Sequence, residues 1–318
     1  MHPVIEIIQA NSALLILWGA LLIHFILPIP RNAHPVTLWH KFAEILAEKV
    51  NGPNSFSQKG ISGAMAWGLM IIPALMLLIA FRSLVWQPEF YDLALLLLAL
   101  GWRGQTQLTS GLIKALATED KPTARQLLSE TNNRQTETLS IVGLGKAGAE
   151  TLIVGQARQV ISVMFWYGVA GGCGAFIFRL IAELNRAWSP SQPACYPFGI
   201  TSARVLTLLE MIPVILFTCL LLPGRQPGQI WQQSRMQAAI WPSFGPGWLL
   251  ATVGNKLNLS LGGPAIYEGK KSVRTKIGGR VVPSALHLSQ TQRLLNQRTF
   301  IWILGQSLIT LLMLQVIR

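Results

Sequence analysis

Residues 146–159, KAGAETLIVGQARQ, place one carboxylate between two cations just before a long apolar stretch. Glu150 follows Lys146 by four residues, so a helix would bring both to one face, where they can form an ion pair. Arg158 lies about two turns beyond Glu150, near the same face. The group is either a solvated flank whose cations reach lipid phosphates or a site carboxylate facing a polar cavity near membrane depth. The residue types alone leave both interpretations open.

Two other stretches could take part in chemistry. HPV, residues 34–36, places His34 after the first apolar run, where a lone histidine is most often a polar anchor. LGGPAIYEGKK, residues 261–271, sets adjacent glycines beside Lys270 and Lys271. Such a loop can bind phosphate through backbone N–H groups and nearby cations, or it can contact anionic lipid as a basic loop. It is not a Walker A loop, because G-x-x-x-x-G-K-[ST] is absent.

The composition predicts that a membrane positions these residues. Hydrophobic residues make up 51% of the 318 and charged residues only 12%, about half the usual share of a soluble domain. We expect an all-α, polytopic integral membrane protein with five or six transmembrane helices in a single domain, 1–318, multi-pass in the cell (inner or plasma) membrane. The predicted spans are 12–27, 62–81, 91–102, 160–180, 205–222 and 300–317. The third has a short apolar core, so it is either a tilted span or a helix buried within the protein.

The distribution of Lys and Arg predicts the topology. Segments 31–61, 103–159 and 224–299 carry four, seven and ten of the 26 basic residues, and with six spans all three fall on one side. That side should be the cytoplasm, since basic residues gather in cytoplasmic loops. The connection 182–204 would then lie on the opposite side. Within the cytoplasmic segments, residues 105–140 are expected to form a helical pair and residues 224–299 a long, glycine-rich folded loop.

Several classes of function are disfavoured. The net charge of +13 does not come from a compact basic patch with interleaved aromatics, so we expect no nucleic-acid partner. The three cysteines, Cys173, Cys195 and Cys219, are widely spaced and are expected to be buried apolar residues rather than metal ligands or disulfides. The first eleven residues contain no Lys or Arg, which predicts a retained first span rather than a cleaved signal peptide.

The order of motifs resembles the CobD/CbiB family of cobalamin-biosynthesis membrane proteins, the adenosylcobinamide-phosphate synthases. The resemblance covers roughly residues 15–310 and rests on HPV, the A-E-T stretch entering a span, a later S-A-R and the C-terminal L-G-G-P-x-x-Y. It implies ATP- and magnesium-dependent amide formation between adenosylcobyric acid and an aminopropanol or its phosphate. Corrinoid and aminopropanol phosphate would be substrates, membrane lipid a partner, and other cobalamin-assembly membrane proteins potential partners.

The same resemblance implies the site residues. The catalytic candidates are Glu150, His34 and Arg134. The candidates for binding substrate or phosphate are Arg103, Thr136, Thr151, Arg204, Gly262, Gly263, Pro264, Tyr267, Lys270 and Lys271. Most of the family's carboxylates have no counterpart here. Gln135 occupies the position of an Asp, and LIVGQAR occupies a stretch where the family has a Glu, an Asn and an Asp. Glu183 lies near the Asp of the family's N-T-x-D-S motif, but not at its position. The chain has 13 Asp and Glu in all, so the metal ligands cannot be assigned.

Two other functions stay open. The chain could instead be a non-catalytic protein on the same scaffold, either a signalling protein of the related AmpE-like branch or a corrinoid-binding protein. Such a protein would also keep the scaffold and lose the carboxylates. A transporter is disfavoured because there is no inverted repeat and, apart from the Asp92 region, the spans lack buried charges and paired helix breaks.

Overall fold

The chain is an all-α membrane protein, as predicted. The computed structural model describes residues 12–27, 34–52 and 56–317. The expectation for residues 1–11, and the part of segment 31–61 that falls on residues 31–33 and 53–55, lie outside this range. The helices, α1 to α12 in chain order, are Ser12–Ile26, Pro35–Val50, Phe56–Leu84, Pro88–Ala99, Trp102–Ala117, Lys121–Ser129, Ile141–Gln156, Ser162–Ala187, Ile200–Leu221, Pro227–Ala239, Phe244–Lys256 and Ala285–Ile317.

Three helical stretches among the described residues are long and apolar enough to cross a membrane. They are Phe56–Leu84, Ile141–Ala187 and Ile200–Leu221, which contain the predicted spans 62–81, 160–180 and 205–222. The second combines α7 and α8 through a π-helical turn, Ala157–Ile161. The predicted span 12–27 corresponds to the shorter apolar helix α1, and 300–317 forms the second half of α12.

The predicted span 91–102 is not a span. Helix α4 has 12 residues and ends at Ala99, so it is about 18 Å long, well short of the roughly 30 Å of hydrocarbon. One face of the helix, which carries Asp92, Leu95 and Leu96, is buried against the rest of the protein. The alternative of a helix buried within the protein is the correct one.

The α7–α8 segment bends sharply at Gly171. Ala170 and Gly171 leave helical geometry, and Gly171 takes a φ of 64°, which glycine tolerates because it has no Cβ. Asn132 donates to Thr151 Oγ1 at 2.7 Å, and its neighbour Asn133 donates to the Arg186 carbonyl at 2.7 Å. A straight helix would hold Thr151 and Arg186 about 50 Å apart, so the chain turns back between them.

This bend overturns the predicted topology of the connection 182–204. The Asn51 side chain donates to the Ala194 carbonyl at 2.7 Å, and the Ala194 N–H donates to Glu268 at 3.2 Å. The connection therefore lies on the same side as the basic segments, not on the opposite side. Hydropathy and charge counts treat 160–180 as a crossing, and they cannot detect one glycine that reverses it.

The basic segment 224–299 is more ordered than a glycine-rich loop. It contains α10, α11, the first half of α12 and four short strands: β1 Ser260–Gly262, β2 Ala265–Tyr267, β3 Lys270–Ser272 and β4 Lys276–Gly278. β1 pairs antiparallel with β4 and β2 with β3. The prediction of a loop rested on the high glycine content. Several of these glycines instead allow segments to pack closely, as where the backbones of Gly254 and Gly278 meet.

Two other expectations have clear outcomes. The helical pair within 105–140 is present as α5 and α6, and Asp120 caps α6 by accepting a hydrogen bond from the Thr123 N–H. The cysteines are not buried: Cys219 is exposed, while Cys173 and Cys195 are half-buried. Cys219 lies on the outer face of the apolar helix α9, where hydropathy predicts burial but the neighbouring helices leave it uncovered.

Candidate functional site

Glu150 is held by the glycine-rich loop rather than by its neighbours in sequence. Its Oε1 accepts a hydrogen bond from the Gly262 N–H at 2.8 Å, and its Oε2 accepts one from Arg274 Nη2 at 2.9 Å. Lys146 donates instead to Ser260 Oγ at 3.3 Å. The expected Lys146–Glu150 pair is therefore not formed. The loop supplies the cation instead, through one charge-assisted hydrogen bond from Arg274, while the second carboxylate oxygen accepts from the backbone.

Arg158 also departs from its expected place. It forms an ion pair with Glu210 of α9, with Nη2 3.2 Å from Oε2 and Nε closer still to Oε1. The Glu210 side chain is only 2% exposed. The π-helical turn that contains Arg158 rotates it away from the face of Glu150.

The loop is shaped for this contact by its glycines and by Trp241. Gly262 has a φ of 74° and Gly263 of 93°, conformations that favour glycine. A Cβ on Gly262 would collide with the Thr275 carbonyl and would lie 2.8 Å from the Trp241 ring. The Arg274 guanidinium sits 5.2 Å from the centre of that ring and also donates to the Gly263 carbonyl. The indole thus orients the cation that binds Glu150.

Two further cations lie within electrostatic range of this carboxylate, and a third lies beside one of them. Arg134 donates weakly to the Pro264 carbonyl at 3.5 Å, and its Nε is buried without a partner. Burial lowers the pKa of Arg134, and Glu150 and Tyr267 oppose that shift while Arg274 adds to it. Lys146 lies within electrostatic range of Lys276 as well as Arg134. Glu150 therefore faces three cations, namely Arg134, Lys146 and Arg274, with Lys276 beside Lys146, and the net positive charge suits an anionic ligand.

A second charged group lies on the other side of the loop 130–135. Glu183 is 3.0 Å from His40 Nδ1, 2.9 Å from Arg186 Nε and 3.8 Å from Arg179. His40 Nε2 also pairs with Glu44 at 3.3 Å. Because Asn132 reaches Thr151 and Asn133 reaches the Arg186 backbone, this loop joins the two groups.

His34 adjoins the second group. Its Nδ1 accepts a hydrogen bond from the Val36 N–H at 3.2 Å and so caps α2. Burial and the nearby Arg179 lower the pKa of His34, while Glu183 opposes this. A neutral imidazole whose Nδ1 accepts must carry its proton on Nε2. His34 can therefore donate a hydrogen bond, but in this arrangement it is not positioned as a base.

The structure brings together only part of the predicted set. Glu150, Thr151, Arg134, Gly262, Gly263, Pro264 and Tyr267 are gathered at the loop. Three others lie elsewhere: Arg103 donates to the Phe25 carbonyl, Thr136 is buried and donates to the Arg125 carbonyl, and Arg204 is exposed on α9. Lys270 and Lys271 are exposed on β3.

Sequence reasoning missed several members of the site. Trp241 carries no sequence signal, and Arg274 stood out only as one of several cations that follow the LGGP glycines, because the contacts of both depend on the fold. His40 and the Glu183 group could have been found, since Arg179, Glu183 and Arg186 occur at helical spacing of four and three at the end of an apolar stretch. Charges placed there are costly unless they are paired or used.

The residues present do not fit a resident magnesium ion. Among the described residues no three His, Cys, Asp or Glu side chains are grouped so as to hold a metal. Glu150 is already engaged by Arg274 and a backbone N–H, and Glu183 by His40 and two arginines. Mg²⁺ requires several oxygen ligands, so neither carboxylate offers it a prepared position.

Comparison with known proteins places the chain in a family. The CobD/Cbib protein family matches residues 17–295. The chain is 29% identical to the cobalamin biosynthesis protein CobD of Stutzerimonas stutzeri, covering 92% of this chain and 96% of that protein. It is 29% identical to the protein of that name from Chromobacterium violaceum, with 92% and 95% covered, and 25% identical to the one from Synechocystis, with 95% and 93% covered. No solved structure matches. The family match spans both charged groups and the loop between them, so the chain belongs to the CobD/Cbib protein family.

Proposed function

We propose that this protein acts in cobalamin biosynthesis, catalysing ATP-dependent amide formation between adenosylcobyric acid and aminopropanol or its phosphate in the cell membrane. Membership of the family and the names of its relatives support the pathway. The observation that supports the chemistry is the position of Glu150. Its carboxylate is held between Arg274 and the Gly262 N–H, with further cations nearby.

The cations fit the activation half of this reaction. ATP would phosphorylate the propionate carboxylate, and the amine nitrogen would then attack the acyl carbon, releasing phosphate and a proton. Arg134, Lys146, Arg274 and Lys276 can neutralise the phosphates in both steps, because charge-assisted hydrogen bonds to phosphate are strong. Arg134 has a buried Nε without a partner, so it has a donor to offer. Glu150 would keep Arg274 oriented toward these phosphates, since its two oxygens are engaged by Arg274 and the Gly262 N–H.

The test is direct turnover. Protein purified in detergent is given adenosylcobyric acid, aminopropanol phosphate, ATP and Mg²⁺, and the amide is sought by mass spectrometry. In parallel, the gene is introduced into a strain that lacks its own synthase. We expect both the product and the growth rescue, and the absence of both would overturn the proposal.

A corrinoid-binding protein without catalysis is the second candidate. It is favoured by one observation: Glu150 and Glu183, the carboxylates of the two groups, are both already neutralised by arginines. Calorimetric titration with adenosylcobyric acid separates the two candidates. Tight binding without turnover supports this second function, whereas amide formation excludes it.

A further inference from the structure

A group of cations lies at the C-terminal end of α9, separate from the Glu150 and Glu183 groups. Lys256 Nζ donates to the Leu222 carbonyl at 3.3 Å and to the Pro223 carbonyl at 2.8 Å. Arg298 of α12 donates to the same Pro223 carbonyl at 3.0 Å. Arg225 follows two residues after Pro223 and is exposed. Lys256 and Arg298 thus meet at one carbonyl, and Arg225 lies two residues from it along the chain.

No carboxylate balances this group. Within the described part of the chain, none of the three cations forms an ion pair with an acidic side chain. Burial lowers the pKa of Lys256, and repulsion from Arg298 lowers it further. The carbonyls that they contact are neutral and leave several N–H donors unused, since a lysine has three and an arginine five. An anion bound here would relieve the repulsion and fill those donors.

The group also lies where the exposed apolar surface ends. On α9 the exposed residues Leu208, Ile212 and Leu216 precede it. On α12 the exposed Phe300, Leu304 and Leu308 follow Arg298, whereas residues 289, 290, 293 and 297 before it are exposed and polar. Because Arg298 contacts Pro223, the two boundaries are at the same level. Cations at such a level lie beside lipid headgroups.

Aromatic residues lie on the two helices next to this group. Trp231 of α10 packs against Trp248 of α11 with ring centres 4.8 Å apart, and Phe244 adjoins them. These two helices lead from Arg225 to Lys256. Tryptophan is enriched at membrane–water interfaces, where its ring is apolar and its N–H remains hydrated.

We propose that Arg225, Lys256 and Arg298 bind the phosphate headgroup of an anionic membrane lipid whose acyl chains lie along α9 and α12. The site is distinct from the Glu150 group, and it does not depend on the proposed catalysis. Its ligand is recognised by charge and by the adjoining apolar surface together. A zwitterionic lipid would bring a second positive charge, and free phosphate would lack the chains.

The test uses protein in an uncharged detergent, titrated with dioctanoyl phosphatidylglycerol and followed by native mass spectrometry. Dioctanoyl phosphatidylcholine and inorganic phosphate are the comparison ligands. Arg225→Gln is the principal variant, because within residues 12–27, 34–52 and 56–317 the Arg225 side chain forms no hydrogen bond or ion pair, and its loss should leave the melting temperature unchanged. Arg298→Gln is the second, and Arg280→Gln is the matched control, since Arg280 is exposed on the loop 279–284 and removes the same charge.

We expect phosphatidylglycerol to bind more tightly than phosphatidylcholine. Each variant of the site should weaken that binding about fivefold, and the two together about 30-fold, from roughly one kcal/mol per basic residue. Arg280→Gln should have no effect. Equal binding of the two lipids, competition by inorganic phosphate at the same concentration, or an equal loss in Arg280→Gln would each overturn the proposal.

Discussion

Glu150 Oε2 and Arg274 Nη2 lie 2.9 Å apart although 124 residues separate them in sequence. Both side chains are nearly buried, and the Gly262 N–H satisfies the second carboxylate oxygen. The pair fastens the loop between β1 and β4 to the helix that enters the membrane. It also determines the direction in which the surrounding cations point.

Replacing Glu150 by Gln should lower the amide-forming activity by about 100-fold or more. A loss of this order is typical when one charged interaction that supports catalysis is removed. The amide is close in shape to the carboxylate, but it cannot hold Arg274 as an ion pair. We expect a stability loss of only about 1–3 kcal/mol, so the variant should still fold. Turnover and thermal unfolding are measured together. Glu137→Gln, an exposed carboxylate on the neighbouring loop, is the control and should behave like the wild type.

Gly262→Ala should be far more damaging than Gly269→Ala. Both glycines have a positive φ, 74° and 76°, so both variants carry a similar backbone strain of about 1 kcal/mol. Only at Gly262 would the added Cβ meet Trp241 and the Thr275 carbonyl, whereas Gly269 has nothing within 4 Å. Turnover and melting temperature should fall strongly in the first and slightly in the second. Equal effects would mean that the close packing at Gly262 does not matter.

Glu210→Gln should destabilise the protein by about 2–3 kcal/mol, because it leaves Arg158 partly buried without its counter-charge. The double variant Arg158→Met, Glu210→Leu removes both charges and should recover most of that loss. Denaturant unfolding in detergent gives both values. A double variant no more stable than Glu210→Gln would contradict this prediction. The loss of stability would then not come from the unpaired charge of Arg158.

Asp92→Ala should loosen the bend at Gly171. The Asp92 Oδ1 accepts a hydrogen bond from the Gly172 N–H at 3.1 Å, and its Oδ2 pairs with Arg82 at 3.2 Å. Removing both contacts from this buried position should cost about 2–4 kcal/mol. Asp92→Asn keeps an acceptor for Gly172 and loses only the charge, so it should cost less. Faster amide hydrogen exchange at residues 170–174 in the alanine variant alone would show that the effect is local.

Acidification should weaken the fold through His34. Its folded pKa lies below the ordinary value of about 6.5, so the unfolded chain binds the proton more readily. The stability that neutral His34 contributes to the folded state is complete above a pH of about 6.5, and it is lost as the pH falls from there toward the folded pKa. His34→Asn keeps a good helix cap but cannot titrate. Its melting temperature should therefore depend less on pH below 6.5 than that of the wild type, and an unchanged pH profile would assign the acid sensitivity to another group.

The sequence predicted the class and the family, and it singled out Glu150 and the glycine-rich loop, which the structure brings into contact. Low charge and long apolar stretches require a membrane, because few folds can satisfy such a surface in water. The LGGP glycines suggested backbone N–H donors for phosphate, and the structure shows that one of these N–H groups binds Glu150, with positive φ at Gly262 and Gly263. The helical pair around Asp120 followed from the helical spacing of apolar residues and the turn at DKP, which are local properties.

Only the tertiary structure decided the partners and the topology. Lys146 and Arg158 sit at sensible helical positions relative to Glu150, yet their partners are Ser260 and Glu210. Pairing of buried charges is decided by which segments pack together, and spacing along one helix carries no such information. Likewise, Gly171 turns an apparent crossing back toward the basic segments through a single residue. Hydropathy averages over about 20 residues, whereas the direction of the chain depends on the dihedral angles of one.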